Sequence, residues 1–107
     1  MTLELINPEG LPTPQSYTHV IAATGSRLVF VAGQLSEDAQ GDHVGSGDLA
    51  AQAQQAFANV GKALAAAGAT PEQVAKITIY VAGRRPEHLP LFEPGYLIEV
   101  EAIAVVD

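Results

Sequence analysis

The sequence predicts an α+β domain with helices packed on one face of a β-sheet. Three observations carry this. Residues 96–106, YLIEVEAIAVV, place Ile98, Val100, Ala102, Ala104 and Val106 on one face of an extended strand. Residues 49–67 carry apolar side chains at helical spacing. The elements also run strand, hairpin, helix, strand, interrupted helix, strand, an order that segregates helix to one side of a sheet.

Thr2 to Ile6 reads as a short strand, ended by Asn7-Pro8 and Gly10. Leu11 to Gln15 contains Pro12 and Pro14 and is an extended loop. Tyr17 to Ala22 and Arg27 to Gly33 are β-rich and flank Thr24-Gly25-Ser26, so they are expected to form a hairpin. The second run is almost wholly apolar, as for a strand central in its sheet.

Ser36 to Gly47 holds three glycines and several acids and reads as a flexible connection. Asp48 is a suitable N-cap. Leu49, Ala53, Ala56, Phe57, Val60, Leu64 and Ala67 form the apolar stripe, with Gln52, Gln55, Asn59 and Lys62 on the polar side. Gly68 ends the helix as a C′ residue. Thr70-Pro71-Glu72-Gln73 has capping-box form but opens only about a turn before the alternating strand Ile77, Ile79, Val81. Glu87 to Glu93 starts as a helix and is stopped by Pro94-Gly95.

The chain has 107 residues, enough for one domain, and only 16% are charged against 48% hydrophobic. That charge fraction is below the usual figure of about a quarter, which favours self-association. Net charge is −7, with Arg84-Arg85 the only local basic pair, so the footprint of a nucleic-acid binder is absent. Without cysteine there is no disulfide, zinc-thiolate site or cysteine nucleophile. His19, His43 and His88 lack metal-ligand spacing, and no Walker, dinucleotide or nucleophile-elbow motif occurs. No apolar run is long enough to span a bilayer and MTLELINPEG is not a signal peptide, so a cytoplasmic location is expected.

The informative residues are Glu99 and Glu101. They share the second face of the last strand with Leu97, Ile103 and Val105, about 6.6 Å apart along it. Carboxylates are rarely buried without partners. This face therefore lines a wet cleft or an interface, or its acids are paired with donors from elsewhere.

Tyr17, the run Val31-Ala32-Gly33-Gln34, Asp48 to Ala53 and Ile98 to Val105 resemble the RidA/YjgF/YER057c/UK114 family. The resemblance covers nearly the whole chain, 1–107, as a single RidA-like domain. It implies a chorismate-mutase-like fold, a mixed β-sheet with helices on one face, and a homotrimer with clefts between subunits. It implies hydrolysis of reactive 2-imino or 2-enamino acids to 2-keto acids and ammonia, with no metal or cofactor. By position, Glu99 matches the catalytic water-holding glutamate, and Tyr17, Ala32 and Gly33 match substrate-binding positions; Ala32 stands where a serine is common.

One departure is large. The resemblance implies a second helix and a further strand, bearing a carboxylate-binding arginine, where this chain passes directly from Glu93 to Pro94. The shortfall is roughly 20–25 residues. Three functional readings follow: an imine deaminase, a catalytically silent family member binding a small metabolite in the same cleft, and an endoribonuclease, which the acidic charge disfavours. Glu101 remains the alternative site acid, with structural pairing the other explanation for either carboxylate.

Overall fold

A computed structural model describes residues 1–82 and 95–107. In chain order it contains β1 (Thr2–Ile6), β2 (Val20–Thr24), β3 (Arg27–Gln34), α1 (Leu49–Ala66), a 3-10 turn at Pro71–Gln73, β4 (Val74–Val81) and β5 (Ile98–Val106). Among the described residues β1 pairs with β2, and a second sheet has the order β3-β5-β4, every pairing antiparallel. The α+β class is therefore as the sequence predicts. No helix among the described residues is long and apolar enough to cross a membrane.

The core forms where α1 lies on one face of the β3-β5-β4 sheet. Ile98, Val100, Ala102, Ala104 and Val106 of β5 are buried there with Val29 and Val31 of β3 and Ala56, Val60 and Leu64 of α1. The period-2 run in β5 thus fills the centre of the sheet. Small residues on both sides, Ala56 on α1 and Ala102 and Ala104 on β5, let helix and sheet approach closely.

Local signals set the ends of α1. The Asp48 carboxylate accepts the Ala51 N–H at 3.1 Å. At the other end Gly68 takes φ 77°, which a side chain would resist. Its N–H donates to Ala65 O at 3.0 Å and that of Ala69 to Leu64 O at 2.9 Å, completing a Schellman motif. The Thr70–Gln73 signature starts only the 3-10 turn, in which Gln73 Oε1 accepts the Thr70 N–H at 3.0 Å.

Four expectations are corrected. The Tyr17–Ala22 and Arg27–Gly33 runs do not form a hairpin. β2 begins at Val20 and pairs with β1, while β3 pairs with β5 from Arg27↔Val106 onward. Primed hairpin turns need positive φ, and Gly25 does not adopt it, so the chain passes from one sheet into the other. Ser26 donates its N–H to Val106 O at 3.0 Å and locks that passage.

Nor is β3 central: among the described residues it is an edge of the three-stranded sheet. Its apolar residues face two ways. Val29 and Val31 enter the core, whereas Leu28 and Phe30 are 61% and 70% exposed on the face that α1 does not cover.

The 36–47 connection, read as flexible, is pinned by α1. Asn59 Nδ2 donates to Leu35 O at 3.1 Å and Glu37 O at 2.9 Å. Gln52, assigned to the polar side of the helix, is fully buried. Its Nε2 donates to Gly45 O and Gly95 O, and its Oε1 accepts the Leu97 N–H at 2.8 Å, tying that connection to the entry of β5. The interrupted helix expected over 87–93, Arg84-Arg85, His88 and the Glu93–Pro94 join lie outside the described residues.

Candidate functional site

The helix-free face of the three-stranded sheet carries the polar side chains of β5. Cross-strand register sets their surroundings. Tyr80 is opposite Glu99, Thr78 opposite Glu101, and Lys76 opposite Ile103 on β4. On the other side Phe30 of β3 is opposite Ile103. Alternation then brings Lys76, Thr78, Tyr80, Phe30, Glu99, Glu101 and Ile103 onto one face.

A register shift between Val31 and Gln34 interrupts the β3–β5 ladder. Such irregularities re-aim the chain locally. Here Gly33 is set against the Glu99 side chain. A methyl group on Gly33 would lie 2.6 Å from Glu99 Cδ and 2.8 Å from Oε2, so the missing side chain is the space the carboxylate occupies. Gln34 Nε2 donates to Ala32 O at 3.0 Å and holds the turn. Among the described residues no hydrogen bond or ion pair engages the Glu99 carboxylate, which stays open to water at a half-buried position.

Glu101 is different. Its Oε1 accepts the Tyr80 hydroxyl at 3.2 Å. The Glu101 negative charge, then that hydrogen bond, then burial and the charge of Glu99 hold the Tyr80 phenol above its ordinary value of 10.0. Glu101→Gln is expected to bring Tyr80 ionisation down toward that value in an ultraviolet pH titration. An unchanged midpoint would remove Glu101 as the cause. Because the phenol is raised in the folded state, its contribution to stability is full below an unfolded value of about 10 and is lost as pH rises through the folded one.

The structure brings together two of the four candidate site residues, Glu99 and Gly33. Ala32, adjacent on β3, lines a neighbouring hollow with Glu101. Tyr17 is elsewhere in the chain: it packs edge-on against His19, ring centroids 5.0 Å apart, beside the loop of residues 7–14. Tyr80, Thr78 and Lys76 are site neighbours that sequence reasoning missed. The alternation of β4 gave their common face, but only the pairing register places that face beside the two glutamates. Among the described residues no cluster of three or more His, Asp or Glu could hold a metal. His19 Nε2 is within 2.7 Å of Pro12 O, and His43 packs on Tyr96 at 4.2 Å between centroids.

Comparison with known proteins agrees with this architecture. The family model described as Endoribonuclease L-PSP matches residues 9–89, a span containing Tyr17, Ala32 and Gly33 and ending before β5. The RutC family protein slr0709 of Synechocystis sp. is 36% identical over 83 residues, 76% of this chain and 62% of that protein. The chain thus spans less than two thirds of that relative's length. The crystal structure of YyfB from Yersinia pestis, a protein of unknown function in the conserved Rid family, superposes with a TM-score of 0.87. It is 31% identical, covering 98% of this chain and 99% of that one. The crystal structure of YEO7_yeast, 24% identical, gives a TM-score of 0.63 over 99% of this chain and 100% of that one, a likeness of fold alone. On the family match over most of its length, the chain belongs to the endoribonuclease L-PSP family, the YjgF/RidA family of Rid proteins.

Proposed function

We propose that this chain is a RidA-like, cofactor-independent hydrolytic deaminase acting in the cytoplasm on reactive 2-imino or 2-enamino acids. The observation that carries the reading is the Glu99 carboxylate: unpaired among the described residues, half-buried, and given its space by Gly33. A carboxylate so placed can orient a water and accept its proton. The water oxygen bonds to the imine carbon and the nitrogen takes up a proton. The resulting carbinolamine then expels ammonia, leaving the 2-keto acid.

A homotrimer fits the same face. Leu28 and Phe30 are exposed there beside the polar site, and such a face is a normal subunit contact. Within one chain Tyr17 lies beside the loop of residues 7–14 and Glu99 against Gly33, and a subunit boundary would be the place for them to meet. A small-molecule ligand is favoured over nucleic acid because net charge is −7 and the described basic residues Arg27, Lys62 and Lys76 sit on separate elements.

One observation favours the second reading, a silent family member that binds a metabolite. Arginine clamps a carboxylate through its planar fork. Among the described residues the sole arginine, Arg27, instead donates from Nη2 to Ala67 O at 2.8 Å, at the C-terminal end of α1. The single-domain reading of 1–107 with a helix and strand missing between 93 and 94 also has support. β4 has no strand partner on its second edge among the described residues. An apolar hollow of about 280 Å³ runs beside it, between Phe57, Val60, Gly61 and Leu64 of α1 and Val74 and Ile77 of β4. A further strand and helix would cover both.

Ammonia release from freshly generated 2-iminobutanoate decides between the readings. Accelerated release over buffer is the expected result. Binding of the keto acid product without acceleration would establish the silent family member instead.

A further inference from the structure

The two polar side chains that meet in the Glu99 row of the sheet lean apart. On the β3 side, the space left by the missing side chain of Gly33 takes the Glu99 carboxylate, with Cδ 2.6 Å from where a methyl group would stand. On the β4 side Tyr80 is directly opposite Glu99, a pairing that sets the two Cβ atoms about 4.5–5.5 Å apart. Yet Tyr80 does not turn toward this partner. Its hydroxyl reaches the next acid along β5 and donates to Glu101 Oε1 at 3.2 Å. The middle of the row therefore lies between a carboxylate on one side and a phenol on the other.

The contact with Glu101 fixes how the phenol can act. A hydroxyl has one proton and two lone pairs, whereas a carboxylate only accepts. With its proton given to Glu101, the Tyr80 oxygen meets any other group as an acceptor. The charge of Glu101, more than that of Glu99, also keeps the phenol protonated, so it acts as a hydroxyl and not as a phenolate. An acceptor in this place takes an N–H. A 2-imino or 2-enamino acid carries one on the nitrogen bonded to C2. The 2-keto acid made from it has an oxygen there, with no hydrogen to give.

Resting on the deaminase reading, we infer that Tyr80 selects nitrogen over oxygen at C2 of the substrate. Its hydroxyl oxygen accepts the substrate N–H, holds C2 against the water at Glu99, and gives the keto acid no such contact. Glu101 is a positioning residue that acts through Tyr80. No bond to Tyr80 forms or breaks, and its proton stays with it. One contact thus serves both the choice of substrate and the release of product.

Two stable ligands of nearly equal size test this without turnover. Oxamate has an N–H beside its carboxylate, and pyruvate has none. Their Kd values are measured by calorimetry on the 107-residue protein and on two variants. The parent is expected to bind oxamate about tenfold more tightly than pyruvate. Tyr80→Phe is expected to equalise the two by weakening oxamate alone. Glu101→Leu frees the hydroxyl proton for the pyruvate carbonyl, so the preference is expected to shrink there too, this time because pyruvate gains. The lost charge of Glu101 helps both anions alike and leaves their ratio unmoved. A merely structural role for Tyr80 would weaken both ligands together and keep the ratio. Thermal unfolding checks that each variant is folded, and Tyr80→Phe, which removes only an oxygen, carries the test by itself. Equal binding of the two ligands by the parent, binding of neither, or a preference that survives Tyr80→Phe would overturn the inference. Ammonia release from 2-iminobutanoate by the same parent sample separates the two readings. Turnover without the preference removes this inference alone. A preference lost in Tyr80→Phe, without parent turnover, removes the deaminase reading alone.

Discussion

Gly33→Ala is expected to slow imine hydrolysis by about 100-fold or more while leaving the protein folded. The added methyl would meet Glu99 Cδ at 2.6 Å and Oε2 at 2.8 Å. These atoms are the far end of a flexible side chain, so the conflict is relieved by rotating Glu99 away rather than by moving backbone. Gly33 does not need positive φ, and alanine fits its backbone. The stability change is therefore expected to stay below about 1 kcal/mol, at the low end for inserting a methyl group. The carboxylate would nevertheless leave the position from which it can hold water. Since general-base catalysis contributes about 10²–10⁴-fold, the rate is expected to fall by about 100-fold or more. Steady-state ammonia release and thermal unfolding, measured on the same sample, separate the two effects. Full activity in the variant would show that this corner is not where the chemistry occurs.

Gln52→Leu is expected to have the largest effect on stability. Leucine is close in size, so the change removes polar contacts more than volume. It would orphan the Leu97 N–H and the carbonyls of Gly45 and Gly95, all otherwise joined through one carboxamide. Leaving a buried polar group unsatisfied costs about 1–3 kcal/mol, and with part of the loss relieved by water the total here is about 3 kcal/mol. For a domain of this size that corresponds to a fall in Tm of about 15 °C. The loss would also loosen the start of β5, and so the approach to Glu99 and Glu101. A Tm within a few degrees of the parent would mean that the three backbone groups find other partners.

These two positions also show what the sequence reveals and what it conceals. The alternation of β5 is legible because its buried face lies wholly on α1, and period-2 patterning reports one-sided burial directly. The helix and its caps are legible because Asp48 and Gly68 act within a few residues of themselves. Gln52 breaks the rule that a polar helix residue faces solvent. Its spacing of four to Ala56, then Val60 and Leu64, is the signal that it begins the buried stripe. The place of β3 is hidden for a related reason. An apolar run says that both faces prefer to be covered, but not whether a neighbouring strand, a helix or another subunit covers them. Leu28 and Phe30 are covered by neither a strand nor a helix among the described residues.

The site was legible in part. Glu99 and Gly33 came from the resemblance, and the structure supplies the reason they belong together: one residue provides the volume that the other fills. The pairing of Tyr80 with Glu101 depends on the register of β4 against β5, which no local pattern encodes. That register distinguishes two acids that look equivalent in the sequence: Glu101 holds a donor, and Glu99 is open to water.

The most direct test of the account is the rate of ammonia release from 2-iminobutanoate in Glu99→Gln beside the parent protein. Glutamine keeps the size of the side chain but cannot take a proton from water. A fall of about 100-fold or more, with unchanged thermal unfolding, is the predicted result. A parent-like rate in the variant would contradict it and remove Glu99 from the mechanism.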